Sequence, residues 1–300
     1  MEKFHAHGKL LLSAEYAILH GAVGLALPLK YGQHLTLNKV PKASSNAKIF
    51  WRAFDKNNQE WFACTLKMND LSLIDFTDKQ KAETIKTLLN HCPTEGFDNT
   101  MDFYFETYLE FDNAWGWGTS SALVSLIAQS FDISPYPLYQ ATFKGSGYDL
   151  ACATAEQPIL FNLQQGKPQI KEISFKPSFT KDIYFVYLEK KQNSLQAIQN
   201  LPIPTTDFII KINECTNQLV IHQNDLQSFC EIIEIHESLM AQYLGQETVK
   251  QKLFKDLDLT FKSLGAWGGD FVMVVGKRSE VEKLKQMGYS IVFTWDEIVL

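Results

Sequence analysis

The sequence lacks the features that mark several large classes of protein. No apolar run approaches the roughly 18 residues that a membrane-spanning helix requires, and the N-terminal residues contain no long apolar segment ahead of a cleavage site. We therefore expect no membrane span and no signal peptide. Basic residues number 28 against 34 acidic residues, which gives a formal net charge of −6. Non-specific nucleic-acid binding requires a basic surface, so we expect no nucleic acid as a partner. The lack of a long apolar run likewise leads us to expect no membrane as a partner.

Cysteine is also scarce, and its spacing disfavours two common kinds of site. The chain has five cysteines, an odd number, at wide spacing and without a C-x-x-C pair. This pattern argues against a zinc site and against a disulfide framework. We expect reduced, mostly buried thiols in a cytoplasmic protein.

The length of 300 residues exceeds the usual size of a single domain and predicts two domains. Strand-like alternation dominates the first half of the chain, whereas helical periodicity dominates residues 193–258. No internal repeat or low-complexity linker separates the halves. We place the boundary near residue 180 and predict an α+β protein with domains at 1–180 and 181–300.

The patterning predicts particular strands and helices. Alternating apolar residues predict a first strand over 4–12, interrupted at Gly8-Lys9, and a strand, turn and second strand over 16–29. Further strands are predicted at 34–37, 47–51, 61–66, 102–110, 158–163, 169–175, 182–188 and 290–293. Helices are predicted at 80–92, directly after residue 121, at 138–143 and at 278–286, with about three more in 193–258. Residues 262–276 are predicted to form a loop that feeds a strand.

Residues 113–121 have the composition of a phosphate-binding loop. Gly116 and Gly118 bracket a tight loop. Three helix-capping residues and an apolar helix follow: Thr119, Ser120 and Ser121. Backbone N–H groups and the helix dipole favour phosphate at such a helix start, and a serine hydroxyl can reach Mg²⁺. The segment is not a Walker loop, because no Gly-Lys-Ser/Thr follows, and an ordinary turn and cap is the alternative from these residues alone.

Three further segments accompany this loop. They are Gly8-Lys9 with Glu15-Tyr16, then Gly145-Ser-Gly-Tyr-Asp149, then Lys262-Ser-Leu-Gly-Ala-Trp-Gly-Gly-Asp270. In this order and at this spacing, the four segments resemble the motifs of the GHMP kinase superfamily over nearly the whole chain. The resemblance implies a two-domain fold with a ribosomal S5 domain 2-like N-terminal domain and a ferredoxin-like C-terminal domain. It also implies an ATP- and Mg²⁺-dependent kinase with a small-molecule substrate, as a monomer or homodimer.

Details within the motifs favour one branch of the superfamily. Glu15-Tyr16, Gly145-Ser-Gly-Tyr-Asp149 and Asp270 are similar to the phosphomevalonate kinase branch, whereas His20-Gly21 is more similar to mevalonate kinases. The resemblance therefore implies a mevalonate-pathway acceptor, phosphomevalonate first. The alternatives are a mevalonate kinase or another hydroxyl kinase of the superfamily, and a catalytically silent relative that binds a metabolite. A diphosphomevalonate decarboxylase fits the first motif poorly.

The resemblance also implies a role for individual residues. Asp149 and Lys9 match catalytic positions, with Asp149 beside the acceptor and Lys9 offsetting charge on the transferring group. The ATP-binding positions are Gly116, Trp117, Gly118, Thr119, Ser120 and Ser121, with Ser120 as the Mg²⁺ ligand. The substrate-binding positions are Glu15, Tyr16, His20, Ser146, Gly147, Gly265, Ala266, Gly268 and Gly269.

Several residues depart from the family pattern or have a purely structural alternative. Trp117 and Trp267 stand inside the second and third motifs, and Trp115 flanks the second. Core packing is our interpretation for tryptophans beside glycine loops, and stacking on the adenine of ATP is the alternative. Leu138 falls where mevalonate kinases carry a second magnesium carboxylate. The alternatives are as follows: an edge-strand lysine for Lys9, a solvated charge for Glu15, a structural histidine for His20, a helix N-cap for Asp149 and a cap or turn for Asp270.

Overall fold

A computed structural model of the protein describes residues 1–42, 45–189, 201–265, 267 and 270–300. The described residues form two compact units, and neither unit is continuous in sequence. The first unit contains Met1–Gly8, Tyr31–Asn113 and Trp117–Thr154, and the second contains Lys9–Lys30, Ala114–Gly116 and Ala155–Leu300. The domain boundary near residue 180 stays a prediction.

The described strands and helices follow one another in mixed order. The strands are β1 (Glu2–Leu11), β2 (Gly24–Pro41), β3 (Lys48–Phe54), β4 (Glu60–Lys67), β5 (Leu73–Phe76), β6 (Met101–Leu109), β7 (Ile159–Gln164), β8 (Lys167–Glu172), β9 (Ile183–Tyr187), β10 (Thr260–Ser263), β11 (Phe271–Val275) and β12 (Val292–Thr294). The α-helices are α1 (Lys79–Asn90), α2 (Thr119–Ser130), α3 (Pro135–Thr142), α4 (Tyr148–Thr154), α5 (Thr206–Ile221), α6 (Leu226–Leu244), α7 (Val249–Leu253), α8 (Arg278–Gln286) and α9 (Trp295–Ile298). Short 3-10 helices lie at Ala17–His20, Thr94–Gly96 and Thr180–Asp182.

The first unit is a sheet covered by helices. Its strands follow the order β5-β4-β3-β6-β2, and only the β3–β6 pair is parallel among the pairs described in this unit. Alternation decides which face is buried: Phe103 and Phe105 of β6 point into the core, whereas Tyr104 between them is exposed. Buried residues of α1, α2, α3 and α4 pack in the same core. Burial of this apolar face is what stabilises the unit.

The second unit contains a four-stranded antiparallel sheet in the order β10-β11-β9-β12. With helices between β9 and β10 and between β11 and β12, this is the ferredoxin-like strand order. Every residue of β9 and of β11 is buried, as expected for central strands with side chains packed on both faces. The start of β2 also pairs with β7, and β7 forms a hairpin with β8.

Most predicted elements are confirmed, including the β3–β4 and β7–β8 hairpins. The first strand predicted within 16–29 is wrong, because those residues form the 3-10 helix Ala17–His20, closed by left-handed Gly21 at φ 88°. Gly8-Lys9 does not interrupt β1, and Lys262 lies on β10 rather than in a loop. Residues 193–200 of the predicted helical region lie outside the described residues, and β5 and α9 were not predicted.

Two expectations from composition can be compared with the structure. The structure has all five cysteines as free thiols; four are buried and Cys230 is half-buried, which confirms that most of them are buried. None of the described helices has both the length and the apolar content that a membrane crossing requires.

Candidate functional site

The predicted phosphate loop leads into helix α2 through two left-handed glycines. Gly116 has φ 67° and Gly118 has φ 95°, a conformation that a side chain makes unfavourable. Gly118 itself is the N-cap of α2, so the prediction that Thr119, Ser120 and Ser121 cap the helix is wrong. They form its first turn instead, where backbone N–H groups lack partners within the helix.

The serines of this turn differ in what they can bind. The Ser121 hydroxyl donates to the Gly118 carbonyl at 2.9 Å and is buried. Ser120 is exposed. Because the Ser121 side chain is occupied inside the turn, Ser120 offers the hydroxyl that an incoming ligand can reach.

The tryptophans of the loop are packing residues, which confirms our interpretation of them. Trp117 is fully buried, with ring centroids of Phe111 at 5.7 Å and Tyr31 at 6.0 Å. Trp115 packs against Phe293 at 5.3 Å and against Phe271 at 5.9 Å. These contacts hold the chain on both sides of Gly116.

Asp149 lies in the first turn of α4, the helix that packs against α2 in the first unit. The helix begins at Tyr148, so the alternative that Asp149 is the N-cap is wrong. Its side chain is half-buried, and Leu150 N donates to its Oδ1 at 3.2 Å. Burial, followed by the Asp149 charge, raises the pKa of Tyr136 to about 12.

Ser146 and Gly147 form the tight approach to α4. Gly147 has φ 81°, and a Cβ there would lie 3.0 Å from Tyr136 Cε1. Ser146 is buried, and its hydroxyl accepts a long hydrogen bond of 3.4 Å from Tyr148 N. Glycine at 147 therefore allows the turn that presents Asp149.

Lys9 contacts the glycine loop within the second unit. Its Nζ donates to the Gly116 carbonyl at 2.8 Å. The alternative of an ordinary edge-strand lysine is therefore disfavoured, because the ammonium is directed at one particular peptide group. A carboxylate also lies against the same glycine, since a Cβ on Gly116 would lie 2.4 Å from Asp270 Oδ2.

Tyr16 joins the first and third motifs within the second unit. Its hydroxyl accepts a hydrogen bond from Trp267 N at 3.1 Å. Ala14 at φ 66°, Tyr16 at φ 59° and Asp270 at φ 50° all have a positive φ, which favours glycine. Each costs about 1–2 kcal/mol in a residue with a side chain. Such strain persists where the surroundings impose it, and it is concentrated at binding sites.

The remaining predicted substrate residues are less informative. Gly265 has φ 69° and open space where a Cβ would stand. His20 is exposed at the end of its 3-10 helix, so it is not a buried structural histidine. Ala266, Gly268 and Gly269 lie outside the described residues.

A buried charged cluster joins the first and third motifs within the second unit. We define it as Glu15, Lys262, Glu237 and His236, each at most 3% exposed. Lys262 Nζ donates to Glu15 Oε1, to Glu237 Oε1 at 3.1 Å and to the Ser263 carbonyl at 2.6 Å. Glu15 is therefore not a solvated charge, and its position is fixed by a fully buried ammonium.

The cluster places two carboxylates around one cation. Burial, opposed by Lys262 and reinforced by Glu237, raises the pKa of Glu15 to about 7. Burial would lower the pKa of Lys262, but the two carboxylates raise it instead. Lys262 therefore stays charged, while Glu15 keeps its proton to a higher pH than an exposed carboxyl group does.

His236 contributes to the cluster as a neutral ring. Burial, and then the Lys262 charge, hold its pKa well below the usual range. Its Nε2 accepts a hydrogen bond from Ala14 N at 3.1 Å and lies 3.6 Å from Glu15 Oε2. The hydrogen bond fixes the backbone amide of Ala14, which has φ 66° and directly precedes Glu15.

Sequence reasoning missed Glu237 and His236, and it placed Lys262 in the third segment without a partner or a role. The available signal was the periodicity of α6, since Glu237 shares the buried face of that helix with Phe229, Ile233 and Met240. A carboxylate on an apolar helix face is costly unless a cation accompanies it. Its partner, however, is not identifiable from the pattern.

Solved structures share this fold over nearly the whole chain. The phosphomevalonate kinase of Streptococcus pneumoniae, solved with phosphomevalonate and AMPPNP, is 18% identical with a TM-score of 0.69, covering 98% of this chain and 100% of that one. The mevalonate kinase of L. major, solved with R-mevalonate, is 15% identical with a TM-score of 0.66, covering 98% and 95%. The galactokinase of Lactococcus lactis, solved with galactose, is 13% identical with a TM-score of 0.67, covering 98% and 92%.

No protein-family model matches the chain. No curated protein matches it either. At identities below 20%, the structural similarity establishes the fold. The predicted α+β fold of the GHMP kinases is confirmed.

Proposed function

We propose that this chain is an ATP-dependent kinase whose acceptor is phosphomevalonate. The observation that carries the proposal is the hydrogen bond from Lys9 Nζ to the Gly116 carbonyl, which joins the first and second GHMP-like motifs. The carboxylate of Asp270, from the third motif, lies against the same glycine. Three segments far apart in sequence therefore contact one another at the loop that is proposed to hold ATP.

The residues present fit a bound nucleotide phosphate. The left-handed glycines expose backbone at the start of α2, where N–H groups attract anions. The exposed Ser120 hydroxyl would hold Mg²⁺, which when bound neutralises charge on the phosphates. Phosphoryl transfer needs positioning and charge stabilisation more than covalent help. Lys9 would supply a fixed positive charge at this loop.

Asp149 would act on the acceptor. A phosphate acceptor is already an anion, so the carboxylate would orient it. A hydroxyl acceptor would instead need Asp149 as general base. The motif details at Glu15-Tyr16, Gly145-Ser-Gly-Tyr-Asp149 and Asp270 support phosphomevalonate. The similarity to a phosphomevalonate kinase solved with its substrate supports it further.

An acceptor panel tests the proposal. ADP release would be measured with phosphomevalonate, mevalonate, galactose and homoserine at equal concentrations. We expect the highest kcat/KM with phosphomevalonate. Preference for mevalonate would assign the chain to the hydroxyl kinases. ATP binding without turnover of any acceptor would indicate a silent relative and would refute the kinase proposal.

Asp149→Asn tests the acceptor role separately. We expect kcat to fall at least tenfold, which corresponds to about 1.4 kcal/mol of barrier. Asp70→Asn, at an exposed turn between β4 and β5, is the matched control and should keep the full rate. If kcat falls less than tenfold in Asp149→Asn, this residue has no central role in the reaction.

A further inference from the structure

A cluster of metal-ligating side chains lies in the first unit, outside every motif discussed above. We define the histidine–glutamate cluster as His5 on β1, His34 on β2 and Glu110 just after β6. One ligand atom from each residue lies within 4.8 Å of the others. Across the described ranges of the chain, it is the one such group of three or more histidine, cysteine or acidic side chains.

From this geometry we propose that the histidine–glutamate cluster binds a divalent transition-metal ion of the zinc class. The two glutamate oxygens face different histidines: Oε1 lies 2.9 Å from His34 Nε2, and Oε2 lies 3.6 Å from His5 Nε2. Zinc binds nitrogen and carboxylate oxygen at about 2.0–2.2 Å, so neighbouring ligands in a tetrahedral site are about 3.3 Å apart. The two carboxylate-to-histidine separations lie on both sides of that value, each at a different oxygen of Glu110, and the ligand atoms of the three residues lie within 4.8 Å of one another.

The ligand set selects the class of ion. Two imidazoles with one carboxylate suit zinc and its first-row neighbours, whereas Mg²⁺ and Ca²⁺ prefer oxygen ligands alone. The side chains are 31%, 45% and 38% exposed for His5, His34 and Glu110, so an ion can reach them from solvent. Three protein ligands leave a fourth position for water.

The backbone around the histidine–glutamate cluster holds its ligands in place. Gly32 N donates to Glu110 Oε2 at 2.7 Å, and Glu110 N donates to the Gly32 carbonyl at 3.0 Å. A Cβ on Gly32 would lie 2.5 Å from His5 Nε2 and 2.2 Å from the Ala6 carbonyl. Glycine at this position therefore allows the His5 ring to reach the carboxylate, and the hydrogen bond from Gly32 N orients that carboxylate.

A bound ion would connect three separate segments of the first unit. β1, β2 and the residue after β6 each supply one ligand, so binding would oppose unfolding of the β1 segment. Anything that binds only the folded state raises its apparent stability. The proposal is independent of the proposed kinase function, because none of the three residues belongs to the ATP or acceptor positions.

Metal titration of the EDTA-treated, dialysed protein tests the proposal. Zn²⁺ would be titrated by calorimetry, and Co²⁺ by visible absorption, both with Mg²⁺ in excess to occupy sites that prefer hard ions. We expect one equivalent of each ion, tetrahedral Co²⁺ bands and a higher Tm with Zn²⁺. His34→Ala should weaken binding at least tenfold and abolish the Tm shift. His91→Ala, which removes another exposed histidine of the first unit, should change neither.

Several results would overturn the proposal. One is the absence of Zn²⁺ binding by the unaltered chain, and another is equal affinity in the unaltered chain and in His34→Ala. A thiolate-to-Co²⁺ absorption band would place the ion at a cysteine instead. Glu110→Gln is a second variant of nearly unchanged size, and it too should weaken binding at least tenfold. His34 is nearly half exposed, so its replacement leaves the fold intact and keeps the comparison decisive.

Discussion

Replacing Glu15 with glutamine removes one ionisable group from the buried charged cluster while keeping the size of the side chain. Glutamine retains an oxygen that can accept from Lys262 Nζ. The variant therefore resembles the protonated form of Glu15 at every pH. Comparing it with the unaltered chain isolates the titration of this one carboxyl.

The magnitude follows from the pKa of Glu15, which burial raises from its usual 4.5 to about 7. Each pKa unit is worth about 1.4 kcal/mol, so the full shift corresponds to about 3 kcal/mol. The folded state binds the proton more tightly than the unfolded state. Stability from this group is therefore fully present below pH 4.5 and is lost as the pH rises through about 7. Between pH 4.5 and about 7, the free energy of unfolding of the variant should therefore rise by about 3 kcal/mol relative to that of the unaltered chain.

Urea unfolding of both proteins at intervals between pH 4.5 and 8.5 measures this difference, since other titrating groups cancel. Glu247→Gln, at an exposed position of the second unit, is the matched control for replacing a carboxylate by an amide and should keep the stability of the unaltered chain. A change of opposite sign, in which the free energy of unfolding of Glu15→Gln falls relative to that of the unaltered chain as the pH rises, would refute the reasoning. It would mean that attraction to Lys262 outweighs burial and keeps Glu15 ionised.

Three further predictions concern other parts of the molecule. Lys262→Met should lower the unfolding free energy in urea by about 3–5 kcal/mol, because it leaves two buried carboxylates without a cation; a loss below 1 kcal/mol would contradict this. Gly116→Ala should weaken ATP binding measured by calorimetry at least tenfold, since its Cβ would meet Asp270 in a left-handed turn; unchanged affinity would exclude this loop. A thiol reagent should label Cys230 first under native conditions, because Cys230 is half-buried whereas the other four thiols are buried, and burial also raises the pKa of Cys64 and Cys92 to about 12; earlier labelling of any of the four buried thiols would contradict this.

The sequence predicted elements whose cause is local. The β3–β4 hairpin was predictable because the turn between its strands holds itself together: Asp55 Oδ1 accepts from Asn57 N and Gln59 N, and Asn58 takes φ 58°. The glycine loop was predictable for the same reason, since Gly116 and Gly118 adopt the left-handed conformations for which glycine is suited.

The errors arose where distant contacts decide the structure. The apolar run after Tyr16 has strand-like composition, yet its first residues form a 3-10 helix. The segment that leads into it is held by a distant contact, since Ala14 N donates to His236 Nε2 across 222 positions. The ion pair between Glu15 and Lys262 joins residues 247 positions apart, which no local pattern reveals. The histidine–glutamate cluster likewise depends on strand pairing rather than on spacing along the chain.

The second unit brings residues 9–30 into contact with residues close to position 300. Lys30 Nζ donates to the Asp296 carbonyl at 2.5 Å, 266 positions along the chain, and Leu300 N donates to the Pro28 carbonyl at 3.1 Å. Residues 9–30 therefore find these partners only after at least 266 further positions of the chain have been added. Removing the residues after Trp295 should destabilise the second unit, because it deletes the partners of both Lys30 and Pro28.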